Sequence, residues 1–122
     1  GSIKLFDLMA GSCLCTLQGH HNAVTGVVVD CSERRALSSS IDHTLKVWDL
    51  CRGECLLTLE GHSTAVSSVD VDWSTMRALS GSEEGALKLW DLEQGVCLRT
   101  YRDEGELDGD NAPDAINILV VE

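Results

Sequence analysis

Residues 36–50 read ALSSSIDHTLKVWDL. Leu45 and Val47 alternate with polar neighbours before Trp48, the period-two pattern of a half-buried strand, and the serines before Ile41 form a second short segment. The same fifteen residues hold serine, aspartate and histidine, three side-chain types that together build hydrolytic triads. Whether they are chemistry or architecture is decided by what surrounds them.

Forty-two residues on, the pattern recurs. Trp48-Asp49 returns as Trp90-Asp91, Gly19-His20 as Gly61-His62 and Val24 as Val66, while Phe6-Asp7 lies one period upstream. The same offset links Gly11, Gly53 and Gly95, then Cys13, Cys55 and Cys97, then Thr16, Thr58 and Thr100. A fixed period of this length marks a repeat architecture, in which one small unit stacks on copies of itself.

Each unit accommodates four short strands: about 24–30, 35–40, 44–50 and 55–59, then 66–72, 77–82, 86–92 and 97–101. Val27 and Val29 alternate in the first copy, as Val69, Val71 and Trp73 do in the second. The steps Val24 to Val27 and Val66 to Val69 break the alternation by one residue, the signature of a bulge near the strand's start. Two strands upstream (3–8 and 13–17) and one downstream (115–122, AINILVVE, parallel to AVTGVVVD at 23–30) bring the total to eleven.

The ordered set of a Gly-His pair, a Val-x-x-Val-x-Val strand, a serine-rich strand (LSSSID, LSGSEEG) and a strand closing on Trp-Asp resembles the WD40 repeat of β-propellers. The turns DCSERR and DWSTMR lack the Pro-Asp-Gly common in that family, and Glu84 stands where it usually has aspartate. The resemblance implies an all-β fold of four-stranded antiparallel blades, here an incomplete ring of under three blades. Residues 1–18 would be the last two strands of a preceding blade, 19–60 and 61–102 two full units, 103–114 an acidic insertion and 115–122 the first strand of a following blade.

The same resemblance implies a structural hydrogen-bond tetrad of Trp, Ser, His and Asp. By position its members are Trp48, Ser38, His20 and Asp42, and in the second copy Trp90, Ser80, His62 and Glu84; His43 is a bystander. Such a set needs no catalytic explanation. An unpaired buried indole N–H costs about 1 to 3 kcal/mol, a serine oxygen relieves it, and the histidine and carboxylate satisfy the serine in turn. A nucleophilic serine needs a free oxygen beside an oxyanion hole, and an active site has little reason to be copied at each repeat. No catalytic residue is expected.

Composition narrows the rest. The formal charge is −11, with thirteen acids against nine bases in residues 1–102 and seven acids with no base in residues 103–122. No basic cluster offers phosphate contacts, so direct nucleic-acid binding is not expected. No apolar run approaches bilayer length, so no membrane contact is expected either. The repeat-equivalent cysteines fall on successive blades, too far apart for disulfides, and are expected to be small buried residues. Cys13 and Cys15 share a strand face without a second pair at zinc spacing, so no metal is expected. Free thiols in this number suit a reducing intracellular compartment, cytoplasm or nucleus. Within DEGELDGDNAPD, Asp108, Asp110 and Ala112 fall on calcium-loop positions but the bidentate glutamate is missing at Leu119, which leaves a solvated acidic loop.

An interaction scaffold without cofactors, part of a longer propeller, is the expected function, its partners being proteins or peptides and the remaining blades of its own ring. Contact positions carried over from the family are Ala23, Thr25 and Ile41, then Ala65, Ser67 and Glu83; Lys46 and Lys88 are read as solvated. Two alternatives stay open. One is the regulatory or targeting region of a larger enzyme. The other is a ubiquitin-ligase substrate receptor, disfavoured because Cys51 and Glu93 occupy the place where that group often has arginine.

Overall fold

The computed structural model describes residues 1–102; the acidic insertion, its calcium-loop positions and the strand read at 115–122 lie outside the described residues. Among the described residues, ten strands form three antiparallel sheets. β1 (Ser2–Asp7) pairs with β2 (Ser12–Gln18). A four-stranded sheet follows, β3 (Val24–Asp30), β4 (Arg35–Ser40), β5 (Leu45–Asp49) and β6 (Glu54–Leu59), and then a second, β7 (Val66–Asp72), β8 (Arg77–Ser82), β9 (Ala86–Asp91) and β10 (Val96–Arg102). Within each sheet the strands lie in chain order, so every connection is a local hairpin.

The bulges fall where the broken alternation places them, between Val24 and Gly26 and between Val66 and Ser68. β7 ends at Asp72, where the reading ends it, so Trp73, next in the alternation, sits in the turn. There its ring packs against the core and lies 5.0 Å below the guanidinium of Arg35, which is itself paired to Asp30 at 2.9 Å. Arg35 belongs to the first sheet and Trp73 to the second, so the stack clasps neighbouring blades.

The main core lies between the two four-stranded sheets. Leu37, Leu45, Val47 and Leu59 of the first meet Val66, Ala78, Trp90 and Leu92 of the second. Strand register explains this division. Leu37 is level with Val28, Val47 and Leu57 on one face of the first blade. Trp90 is level with Ala78 and Val71 on the facing side of the second. Thr25 adds a polar stitch, its hydroxyl donating to the Val66 carbonyl (2.8 Å) beside Ser39 Oγ (2.7 Å).

The cysteines are a correction. Cys13, Cys55 and Cys97 are exposed, not buried. Each opens a bulge on an outer strand: Cys13 pairs with Phe6 and Cys15 with Leu5, leaving Leu14 extra, and Leu56 and Leu98 are extra in the same way. The bulge turns the thiol outward, where it donates to the carbonyl two residues on (Cys15, Leu57 and Arg99; 3.3–3.5 Å). Cys15 alone is half-buried, against the Leu50 carbonyl.

Candidate functional site

The aspartate of Trp-Asp has a local task that explains its repetition. Asp49 Oδ1 accepts from the backbone N–H groups of Cys51 and Arg52 (2.9 and 3.3 Å), and Gly53 N–H donates to the Asp49 carbonyl (2.8 Å). Asp7 and Asp91 build the same turn with Gly11 and Gly95. The three glycines have φ of 69–73°, a left-handed conformation that costs glycine little. The spacing Asp-x-x-x-Gly was the available signal for this turn, which the reading of the sequence did not use.

Between turns and core lies the polar chain. In the first blade, Trp48 Nε1–H donates to Ser38 Oγ (2.8 Å), Ser38 Oγ lies 2.6 Å from His20 Nε2, and His20 Nδ1 lies 3.0 Å from Asp42 Oδ2. A carboxylate only accepts, so Nδ1 carries the proton and Nε2 accepts from the serine hydroxyl. Asp42 accepts further bonds from His21 N–H (2.9 Å), Thr44 N–H (2.9 Å) and the Thr44 hydroxyl (2.6 Å). Burial alone would raise its pKa; the bonds from Thr44, His21 and His20 together hold it well below the usual carboxylate range. Burial lowers the pKa of His20, against the pull of Asp42. Ser38 is fully buried, between an indole donor and an imidazole acceptor, and has no oxygen lone pair turned to solvent.

Gly19 is required by close approach. A Cβ there would stand 3.2 Å from Trp48 Cη2, and the Lys46 stem covers the same spot. Gly61 repeats this against Trp90 and Lys88. Both lysine ammoniums donate to a threonine of the outer strand, Lys46 to Thr58 and Lys88 to Thr100 (2.9 Å each), so neither is simply solvated.

The second copy is a partial one. Trp90 Nε1–H donates to Ser80 Oγ (2.8 Å) and Ser80 Oγ lies 2.6 Å from His62 Nε2, but Glu84 does not reach His62. Its Oε1 accepts from the Ser63 hydroxyl (2.5 Å) on the exposed side, and His62 Nδ1 is buried without a partner among the described residues. The added methylene carries the carboxylate past the imidazole, and Ala86 replaces Thr44, removing the hydroxyl that anchors Asp42 in the first blade.

The loop backbones nonetheless agree. Gly85 (φ 87°) matches His43 (φ 79°), and each donates to the serine carbonyl three residues before it, Gly85 to Ser82 and His43 to Ser40. Glu84→Asp with Ala86→Thr is therefore expected to stabilise the fold by about 1 to 2 kcal/mol, by giving an orphaned buried donor its acceptor. A urea midpoint that moves down instead would show that the second loop cannot seat the shorter carboxylate.

Comparison with protein families matches residues 11–49 and 53–91, more than half of the chain, to WD40 (WD domain, G-beta repeat). The chain belongs to the WD40 repeat family. No curated protein matches it. The WD40 unit is offset by one strand from the blade: residues 11–49 take in β2 together with β3, β4 and β5, so each sequence repeat begins in one blade and ends in the next. Each repeat thereby ties neighbouring blades covalently. WD40 repeats form protein-interaction scaffolds and are generally non-catalytic.

The contact positions named from the WD40 pattern sit at one end of the blades. Ile41 N–H donates to the Ala23 carbonyl (2.9 Å) and Glu83 N–H to the Ala65 carbonyl (3.1 Å), which fixes both loops. Ala23, Thr25, Ile41 and Glu83 are exposed and Ser67 is half-buried with its hydroxyl on the Gly81 carbonyl. Ala65 is buried; it precedes Val66, whose carbonyl accepts from the Thr25 hydroxyl of the neighbouring blade.

Proposed function

We propose that these blades form part of a longer propeller that acts as a non-enzymatic platform for a protein or peptide partner, and that the partner's bound segment is basic with an apolar anchor. The observation that carries this is that exposed Ile41 and exposed Glu83 and Glu84 stand in repeat-equivalent loops at the same end of neighbouring blades, each loop held by a backbone bond within its own blade. An apolar side chain seats on Ile41 while lysine or arginine faces the two glutamates. The charge of −11 steers such a segment in and repels nucleic acid. In this reading the platform uses no cofactor, touches no membrane and works inside the cell, in cytoplasm or nucleus, where its six free thiols are kept reduced.

The test is a panel of labelled twelve-residue peptides, basic, acidic and neutral, each with or without a leucine, titrated against the full chain by fluorescence anisotropy. Basic leucine-containing peptides are expected to bind, with affinity falling at least tenfold in Ile41→Asp and Glu83→Lys. Affinity should be unchanged in Leu56→Asp, on the outer bulge. Equal binding across the panel, or loss through Leu56→Asp, would sink the reading.

A further inference from the structure

The second polar chain ends on a donor that has no acceptor, and the first shows what that donor takes. Around Asp42, His20 Nδ1–H, the N–H groups of His21 and Thr44 and the Thr44 hydroxyl converge on one carboxylate at 2.6–3.0 Å. Oδ2 accepts from His20 and His21, and Oδ1 from Thr44. In the second blade the counterparts of the Oδ2 donors are His62 Nδ1–H and Ser63 N–H. The Ser80 hydroxyl, which accepts from Trp90, gives its proton to His62 Nε2, so Nδ1 carries a hydrogen. His62 is 6% exposed and its Nδ1 has no partner among the described residues, while Glu84 is turned to the Ser63 hydroxyl. A buried donor left so bears its whole desolvation cost.

Two further unpaired atoms lie in the same blade, Ser82 Oγ and Thr64 Oγ1. Their counterparts Ser40 and Asn22 meet beneath the Asp42 loop, where Ser40 Oγ bonds the Asn22 carbonyl (3.3 Å) and accepts from Asp42 N–H (3.0 Å). The first blade has no buried unpaired side-chain polar atom among the described residues. We infer that the head of the second polar chain is a binding site for a carboxylate from outside the chain, with His62 Nδ1–H and Ser63 N–H as its donors.

Room, access and charge fit that ligand. Gly85 and Ala86 stand where the first blade has His43 and Thr44, so this loop carries less side chain about the site. What closes over His62 is the bond between Ser63 and Glu84, both exposed, and it can open without moving the backbone. Glu83 N–H on the Ala65 carbonyl and Gly85 N–H on the Ser82 carbonyl hold the loop independently. Glu84 repels an incoming anion, whereas the Lys88 charge, which acts on the same imidazole, attracts it. Two neutral donors suit one carboxylate oxygen and are too few for a phosphate dianion. The ligand is a small free carboxylate or the aspartate side chain of a protein partner.

The probe is sodium formate, titrated at pH 7.5 into the full chain labelled with nitrogen-15 at histidine, with sodium chloride in the control. NMR follows the His62 Nδ1–H proton, and that of His20, already on Asp42, is the internal reference. Formate is expected to move the His62 proton downfield saturably, at millimolar concentration, and to leave His20 in place. Glu84→Gln should tighten binding about threefold or more by removing the neighbouring charge. Glu84→Asp with Ala86→Thr should abolish the response, because the chain's own carboxylate then sits on Nδ1. In a second arm a capped Ala-Asp-Ala peptide replaces formate, with Ala-Asn-Ala as its control. Tighter binding of the aspartyl peptide than of formate assigns the site to a protein side chain, and the reverse order assigns it to a free carboxylate. No saturable shift with either probe, an equal shift in the double variant, or an equal shift with the asparaginyl peptide would overturn the site. A response confined to Glu84→Gln would overturn it too, by showing that Glu84 itself swings in to serve His62.

Discussion

Trp90→Ala is expected to cost about 3 to 5 kcal/mol, the largest effect of any single change in the described residues. The indole is 1% exposed and stands in the cluster that joins the two four-stranded sheets, against Leu37, Val47 and Leu59 from the first blade and Ala78 and Leu92 from its own. Its removal opens a cavity between two rigid sheets, which cannot collapse without breaking the Thr25 to Val66 bond and the Arg35–Trp73 stack that hold them apart at fixed spacing. The same change at the equivalent position of the β1–β2 sheet, Phe6→Ala, is expected to cost about 1 kcal/mol or less, because that ring is half in water already. Urea unfolding of both variants at low chain concentration measures the contrast. Equal costs would mean that inter-blade packing is not where the stability lies.

The fold was largely legible because the repeat multiplies a weak signal. A single six-residue run such as Arg77–Ser82 is ambiguous alone, but its match to Arg35–Ser40 at a 42-residue offset, between the same Gly-His and Trp-Asp marks, leaves one reading. Strand limits coincide with the structure to within one residue for all ten described strands. Legibility failed where side-chain direction departs from the average strand. Cysteine is among the most buried residue types, yet here a bulge on an outer strand reverses the face at Cys13, Cys55 and Cys97, and the extra residue that causes it is an ordinary leucine with no distinctive signature.

The polar chain shows the same limit at finer scale. Residue type places Glu84 beside His62, but whether a carboxylate reaches an imidazole depends on one methylene and on the neighbour at position 86. Thr44 fastens Asp42 from below with two bonds, and Ala86 has no hydroxyl to do so for Glu84. The consequence extends along the blade. Ser40 Oγ bonds the Ala23 carbonyl and the Asp42 N–H, whereas its equivalent Ser82 Oγ is buried without a partner among the described residues, like Thr64 Oγ1 and His62 Nδ1. The second repeat thus keeps the packing of the first and loses part of its hydrogen bonding.

That loss sets the pH response. His62 is lowered to about 4 by burial, with the Lys88 charge adding to it and Glu84 only partly opposing. In the unfolded chain a histidine titrates near 6.5. Between these values the unfolded state holds the extra proton, so His62 leaves stability intact above about 6.5 and removes it progressively as pH falls toward 4. At about 1.4 kcal/mol per unit, the loss through this window is on the order of 2 to 4 kcal/mol. Asp42, held below the usual carboxylate range, stays ionised in the folded chain and adds its own loss only below about pH 5, where the unfolded aspartate begins to take up a proton. The approach of the whole chain to its isoelectric point near 4.6 relieves self-repulsion and acts in the opposite sense, so the informative quantity is a difference between variants. Urea unfolding of the wild type and of His62→Gln at pH 7.5, 6 and 5 is expected to show the wild type losing stability relative to the variant at each step. The Glu84→Asp, Ala86→Thr chain should lose less than the wild type, since a carboxylate on Nδ1 raises the folded-state pKa and narrows the window. Parallel pH profiles for wild type and His62→Gln would show that the second imidazole is not buried as the structure has it.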